Sequence, residues 1–154
     1  MSIPEGYTSV TPFVVSTDTA GLIDYLRAAF DAVELGRVTG EDGSIGHAEL
    51  RIGDAVVMFF DAGPGWPDTP GLLRLYVEDA RAVHRQAVEA GGTPISEVTY
   101  LPFGDLVGRV KDPFGNLWWI QQRVESVTEE EFMRRLGDPE FAAAMEYIQS
   151  AKPF

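Results

Sequence analysis

Apolar and polar residues along this chain fall into short runs of period two and two longer runs near period 3.6, and the order of these runs repeats once. Residues 10–16 predict a strand, broken at Thr17 and Asp18, a pair suited to cap a following helix. Over about 19–32, Leu22, Leu26, Phe30 and Val33 recur on one helical stripe. Strand patterns follow at about 34–40, 45–52 and 55–61, separated by the hairpin-type pairs Asp42-Gly43 and Gly53-Asp54. Residues 64–71 read as a linker, because proline and glycine dominate them. The order then begins again. A strand is predicted over 72–77 and a helix over about 79–90, stopped by Gly91-Gly92. Strands follow at about 94–100, 106–111 and 117–123, with Asp112-Pro113-Phe114-Gly115 as the last turn. The pattern is βαβββ twice, in modules at about 8–61 and 72–123.

The tail over 126–154 is separate and helical. Thr128 and Glu131 form a capping box, Gly137 ends that helix, and Asp138-Pro139 starts another. Phe141, Met145 and Ile148 make this last helix amphipathic, so it packs either onto the domain or onto a second subunit. The expected fold class is α+β, with one domain over 1–125 followed by C-terminal helices.

A sheet covered by helices on one side keeps its other face for something else. In the strand 45–52, Ala48, Leu50 and Ile52 suit the helix-covered side, while His47, Glu49 and Arg51 share the opposite one. Likewise Leu73, Leu75 and Val77 suit the core, leaving Leu72, Arg74 and Tyr76 across from them. In the last strand Trp118 and Ile120 are assigned inward, Trp119 and Gln121 to the second face. That face mixes aromatic surface with a few charges, as ligand pockets do.

Composition narrows the picture. At 154 residues with 45% apolar content, the chain is long enough for one well-cored domain. It has no cysteine, which removes disulfides and thiolate chemistry. No apolar run approaches a membrane span, and the N-terminus lacks a signal-peptide pattern, so a cytoplasmic protein is expected. Twelve basic against 24 acidic residues leave a net charge of −12, a field that disfavours nucleic acid and anionic membranes as partners. Neither a nucleophile elbow nor a phosphate-binding glycine loop is present.

Three segments carry a resemblance: Val10-Thr11-Pro12-Phe13-Val14-Val15, residues 46–54 (Gly-His-Ala-Glu-Leu-Arg-Ile-Gly-Asp), and residues 112–120 (Asp-Pro-Phe-Gly-Asn-Leu-Trp-Trp-Ile), with Pro102-Phe103-Gly104-Asp105 ahead of the penultimate strand. They are similar to the glyoxalase-like branch of the vicinal-oxygen-chelate superfamily, the glyoxalase, bleomycin-resistance and dioxygenase-like proteins. The resemblance covers about 8–123. It implies paired modules whose mixed sheet curls into a U around a cleft, commonly in a homodimer. It also implies metal-ligand positions on the first and last strand of each module, which fall near Thr11, Met58, Leu72 and Trp119. Hydrocarbon, thioether and indole are poor donors for a divalent ion, so no metal cofactor is expected. A divalent metal at His47, with Asp61 or Asp105 joining across strands, is the alternative.

Two functions follow as expectations. The first is a metal-free small-molecule-binding protein of the bleomycin-resistance type, sequestering a planar or cationic ligand. Its lining is expected from Thr11, His47, Glu49, Met58, Phe60, Trp66, Leu72, Arg74, Tyr76, Tyr100, Phe103, Trp119 and Gln121. Aromatic faces hold such ligands by stacking and cation–π contacts. The second is a glyoxalase-like lyase or isomerase, or a dioxygenase, in which His47 and Glu49 act as a proton-transfer pair. His84, between Arg81 and Arg85 on the second helix, reads as a surface or boundary residue.

Overall fold

A computed structural model describes residues 2–154. The first module contains β1 (Phe13–Ser16), α1 (Thr19–Phe30), β2 (Val33–Thr39), β3 (Ile45–Ile52) and β4 (Ala55–Asp61). The second contains β5 (Leu72–Tyr76), α2 (Ala80–Glu89), β6 (Thr93–Tyr100), β7 (Asp105–Lys111) and β8 (Leu117–Arg123). Two helices end the chain, α3 (Glu129–Leu136) and α4 (Pro139–Ser150). The architecture is α+β, and the βαβββ order occurs twice.

Each module makes its own four-stranded mixed sheet, in the order β1-β4-β3-β2 and β5-β8-β7-β6. The first strand runs parallel to the last in each, and the remaining pairs are antiparallel. The registers match. Phe13 stands beside Met58 and Met58 beside Glu49, while Arg74 stands beside Trp119 and Trp119 beside Arg109. Glu49 and Arg109 thus hold corresponding places in the two modules.

Local chemistry explains where the elements begin. The carboxylate of Asp18 accepts from Gly21 N to cap α1, and that of Asp79 accepts from Ala82 N to cap α2. Thr128 and Asp138 cap α3 and α4 in the same way, with Pro139 at the start of α4. Of the α1 stripe, Leu22, Leu26 and Phe30 are buried, but Val33 is exposed. The helix has ended by then: Asp31 adopts a left-handed backbone, and Val33 begins β2.

One core joins the modules. It draws Leu22, Leu26 and Phe30 from α1, Leu50 and Phe59 from the first sheet, and Trp118 and Ile120 from the second. Phe30 stacks against Trp118 at 4.9 Å between ring centroids, and the Tyr25 hydroxyl donates to Ala87 O at 3.0 Å. Alternation assigned these sides correctly: Ala48, Leu50, Ile52, Trp118 and Ile120 are all buried.

The turn at 112–116 is a scaffold device. Buried Asp112 accepts hydrogen bonds from Phe114 N, Asn116 N, Asn116 Nδ2 and Trp118 Nε1, each at 2.9–3.0 Å. Asn116 in turn accepts from Gly71 N at 2.8 Å, tying the last turn to the start of the second module.

The tail packs onto its own domain. Ile148 joins Leu101 and Val107 in a small second core, with Phe103, Trp119, Ala144 and Met145 packed against it. The face of the second sheet opposite α2 is therefore covered around Val107 and Trp119, while its β5 edge stays exposed. No helix among the described residues is long and apolar enough to cross a membrane.

Candidate functional site

On the first module the face opposite α1 stays open. His47 and Glu49 are half-buried there on β3, and His47 Nε2 lies 3.0 Å from Glu49 Oε1. The second carboxylate oxygen accepts from the hydroxyl of Tyr7, in the segment before β1. These two hydrogen bonds, that of Tyr7 first, hold the Glu49 carboxyl below its ordinary value. The same bond raises the Tyr7 phenol above its own. Glu49 is a fixed anion at neutral pH.

Beside this carboxylate runs an aromatic row. Trp66 meets Phe60 at 5.4 Å, Phe60 meets Phe13 at 5.7 Å, and Phe13 meets the His47 ring at 6.0 Å, each edge to face. Phe13 is 53% exposed and Trp66 55%, so these rings face outward rather than into the core. The period-two pattern of β1 and β4 puts Phe13 and Phe60 on this side, with Val14 and Phe59 buried on the other, while Trp66 comes from the segment after β4.

A cavity of about 370 Å³ opens at one end of the row, walled by Thr11, Glu49, Met58, Tyr7 and the segment from Ser2 to Ser9. Three of its residues, Thr11, Glu49 and Met58, were expected from sequence. Tyr7 and the N-terminal wall were not, because residues 2–9 have no periodicity to place them. A tyrosine before the first strand was the one available signal.

The remaining expected residues divide. Leu72, Arg74 and Tyr76 are exposed on β5, on the predicted side, but they do not line the Glu49 cavity. Trp119, Tyr100 and Phe103 lie under the tail: Trp119 and Phe103 pack against the second core, and Tyr100 meets Phe141 at 5.8 Å. Gln121 is buried, and its amide donates to Asp105. Strand alternation gives a side, but it does not report that another segment covers that side.

The carboxylates proposed to join His47 do not. Asp61 accepts from Thr19 N and Ile45 N, at 2.8 and 2.7 Å, and so serves the start of α1 and of β3. Asp105 is buried and paired with Arg123 and Gln121 in the other module. Among the described residues no three His, Cys, Asp or Glu side chains converge as a metal site. The side chains at Thr11, Met58, Leu72 and Trp119 do not fit a divalent ion either, since three of the four offer thioether, hydrocarbon or indole.

His84 also departs from expectation. It is 5% exposed, because β6 lies over that side of α2 and its Nε2 reaches Ser96 O at 3.0 Å.

The sequence matches the family model described as Glyoxalase/Bleomycin resistance protein/Dioxygenase superfamily over residues 9–120. An uncharacterised protein of Mycobacterium bovis is 38% identical over 140 residues, covering 84% of this chain and 92% of that protein. Among solved structures, TioX from Micromonospora sp. ML1 superposes with a TM-score of 0.63 at 23% identity, covering 79% of this chain and all of TioX. The fosfomycin resistance protein FosX from Mesorhizobium loti gives 0.56 at 14% identity, covering 80% and 95%. These two likenesses show the fold.

Proposed function

The chain belongs to the glyoxalase/bleomycin resistance protein/dioxygenase superfamily, and from there we propose that it is a cytoplasmic, metal-free small-molecule-binding protein of the bleomycin-resistance type. It takes a planar or cationic ligand on the open face of its first module. One observation carries this reading: the outward row Trp66, Phe60, Phe13 and His47 runs to a carboxylate kept ionised by two hydrogen bonds. A flat cation placed there stacks on the rings and meets Glu49. Each cation–π contact contributes about 0.5–2 kcal/mol. Titration with N-methylacridinium, a flat monocation, is expected to quench tryptophan fluorescence and raise the melting temperature. The Phe13→Ala variant should bind it several-fold more weakly. A panel of flat and cationic compounds that moves neither signal sinks this reading.

A second reading rests on the His47–Glu49–Tyr7 chain. Glu49 accepts from both neighbours, so His47 Nε2 carries a proton and Nδ1 is the free basic nitrogen. That arrangement suits proton transfer in a glyoxalase-like lyase or isomerase, or in a dioxygenase-like reaction. Full activity of His47→Gln on an identified substrate would remove it.

We also propose that the protein is a homodimer. Val10, Leu72 and Tyr76, on or just before β1 and β5, are large apolar residues left exposed outside the aromatic row. Light scattering at micromolar concentration is expected to give twice the chain mass.

A further inference from the structure

A second cavity lies away from Glu49. It is a groove of about 510 Å³ between α2 and the edge strand β6, walled by Arg81, His84, Arg85, Val88, Pro94 and Val98, with Glu89 and Glu97 also on its lining. The α2 residues recur at helical spacing, so one face of this short helix is turned to the groove.

The two arginines here have one feature in common: no carboxylate among the described residues neutralises either of them. Arg81 Nη1 donates to Val98 O at 3.2 Å, which fixes its guanidinium beside the groove and leaves other N–H groups free. Arg85 has no hydrogen-bond or ion-pair partner among the described residues, and neither arginine lies within 4 Å of a carboxylate. In a chain with twice as many acids as bases, two adjacent unpaired guanidiniums run against the overall charge balance.

His84 sits between them. Its Nε2 faces a carbonyl, Ser96 O, so Nε2 must carry the proton and Nδ1 is the open position. Nδ1 has no partner in the protein. The only sealed, unpartnered side-chain polar atom among the described residues is Thr19 Oγ1, so Nδ1 is not sealed off, and the His84 ring is part of the groove lining. Gly108 makes this depth available: a Cβ there would stand 2.8 Å from His84 Cδ2.

From this geometry we infer that the α2–β6 groove is a second ligand site, for a small monocarboxylate with an apolar body. The carboxylate meets Arg81 and Arg85 at the rim, and the His84 ring forms part of the groove floor away from its oxygens, since an unprotonated Nδ1 has no proton to donate to them. The hydrocarbon body rests on Val88, Pro94 and Val98. A fork of guanidinium N–H groups matches the two oxygens of a carboxylate. The glutamates at 89 and 97 weigh against a multiply charged anion such as phosphate, and the apolar floor favours a ligand with hydrocarbon to bury. This site is independent of the open aromatic face.

Benzoate titrated into the full-length, uniformly ¹⁵N-labelled protein tests it. Saturable amide shifts are expected over residues 80–98, with movement of the His84 imidazole nitrogens. Residues 7–13 and 47–60 should stay still. Arg85→Gln, which removes no contact made within the protein, should raise the Kd about tenfold, the loss of one charge-assisted hydrogen bond. Arg81→Gln should act in the same direction. Benzyl alcohol should bind far more weakly. The inference is overturned if benzoate gives no saturable shift, if the shifts gather at Glu49 instead, or if Arg85→Gln binds as the parent does. Equal binding of inorganic phosphate, at the same residues, overturns the assignment to an apolar carboxylate.

Discussion

Glu49 and Asp112 are both acidic residues with several hydrogen bonds, and they do different work. Asp112 is buried, as are its partners Asn116 and Trp118, so Asp112→Ala leaves Trp118 Nε1 and the Asn116 amide without acceptors. At about 1–3 kcal/mol for each stranded group, the variant is expected to lose about 3–5 kcal/mol in urea unfolding. Glu49 is half-buried on an open face. Glu49→Gln should change stability little and weaken N-methylacridinium about tenfold, leaving an uncharged flat analogue unaffected; equal losses for both would mean that the carboxylate provides shape, not charge. The Tyr7 link gives this pair a pH window. The depressed Glu49 pKa means its contribution is present above the ordinary carboxylate value of 4.5 and fades as pH falls below it. The raised Tyr7 pKa means the phenol's contribution is present below 10.0 and fades as pH climbs beyond it. Amide shifts of residues 2–11 should therefore hold steady between those limits and move outside them.

At the scale of elements, the tail is the part least secured by burial. α3 has no buried residue and α4 has only Ile148. Polar contacts do the rest. The guanidinium of Arg109, buried beside Trp119, donates to Ile148 O and to Ala151 O, the open carbonyls at the end of α4. Burial alone pushes Arg109 below its ordinary pKa, a sign that its charge is held out of water by the helix above. Tyr147 takes the N–H of Glu97 on the edge strand at 2.8 Å. Ile148→Ala should accelerate hydrogen exchange throughout α4 while β7 and β8 keep their protection; loss of both together would show tail and sheet to be one cooperative unit. On α3, hydrogen bonds from Arg134 and Arg135 lower Glu131 to about 2. This contribution is present above 4.5 and is lost as pH falls toward 2, so tail resonances should shift across that interval, less at high salt because the group is exposed.

For the whole molecule, the duplicated plan was legible because each module repeats the same changes of period, and because turn residues mark almost every boundary. The inward side of β3 was legible too, since Ala48, Leu50 and Ile52 alternate cleanly with polar residues. What escaped were relations between distant segments. Nothing in the alternation of β8 says that α4 lies over Trp119, or that Asp105 claims Gln121. His84 looked superficial between two arginines, and it is buried because β6, a separate element, passes over it. Tyr7 was missed for the same reason: its meaning lies 42 residues away, at Glu49. Net charge also acts at this scale. A field of −12 should speed the arrival of a cationic ligand, so its association rate should fall steeply as salt rises while dissociation changes little.

Each module completes its own sheet, no strand ladder passes between them, and one exposed run at 64–70 connects them. What they share is the layer of α1, α2, Phe30 and Trp118. In thermodynamic terms the chain is two dissimilar subunits joined by a tether, which supplies an effective concentration of the order of millimolar for a short flexible link. A cut at 66–67 would remove that advantage and leave the shared layer to hold the pieces by affinity alone. The melting temperature of the nicked protein would then depend on its concentration, as that of the intact chain with respect to this contact does not.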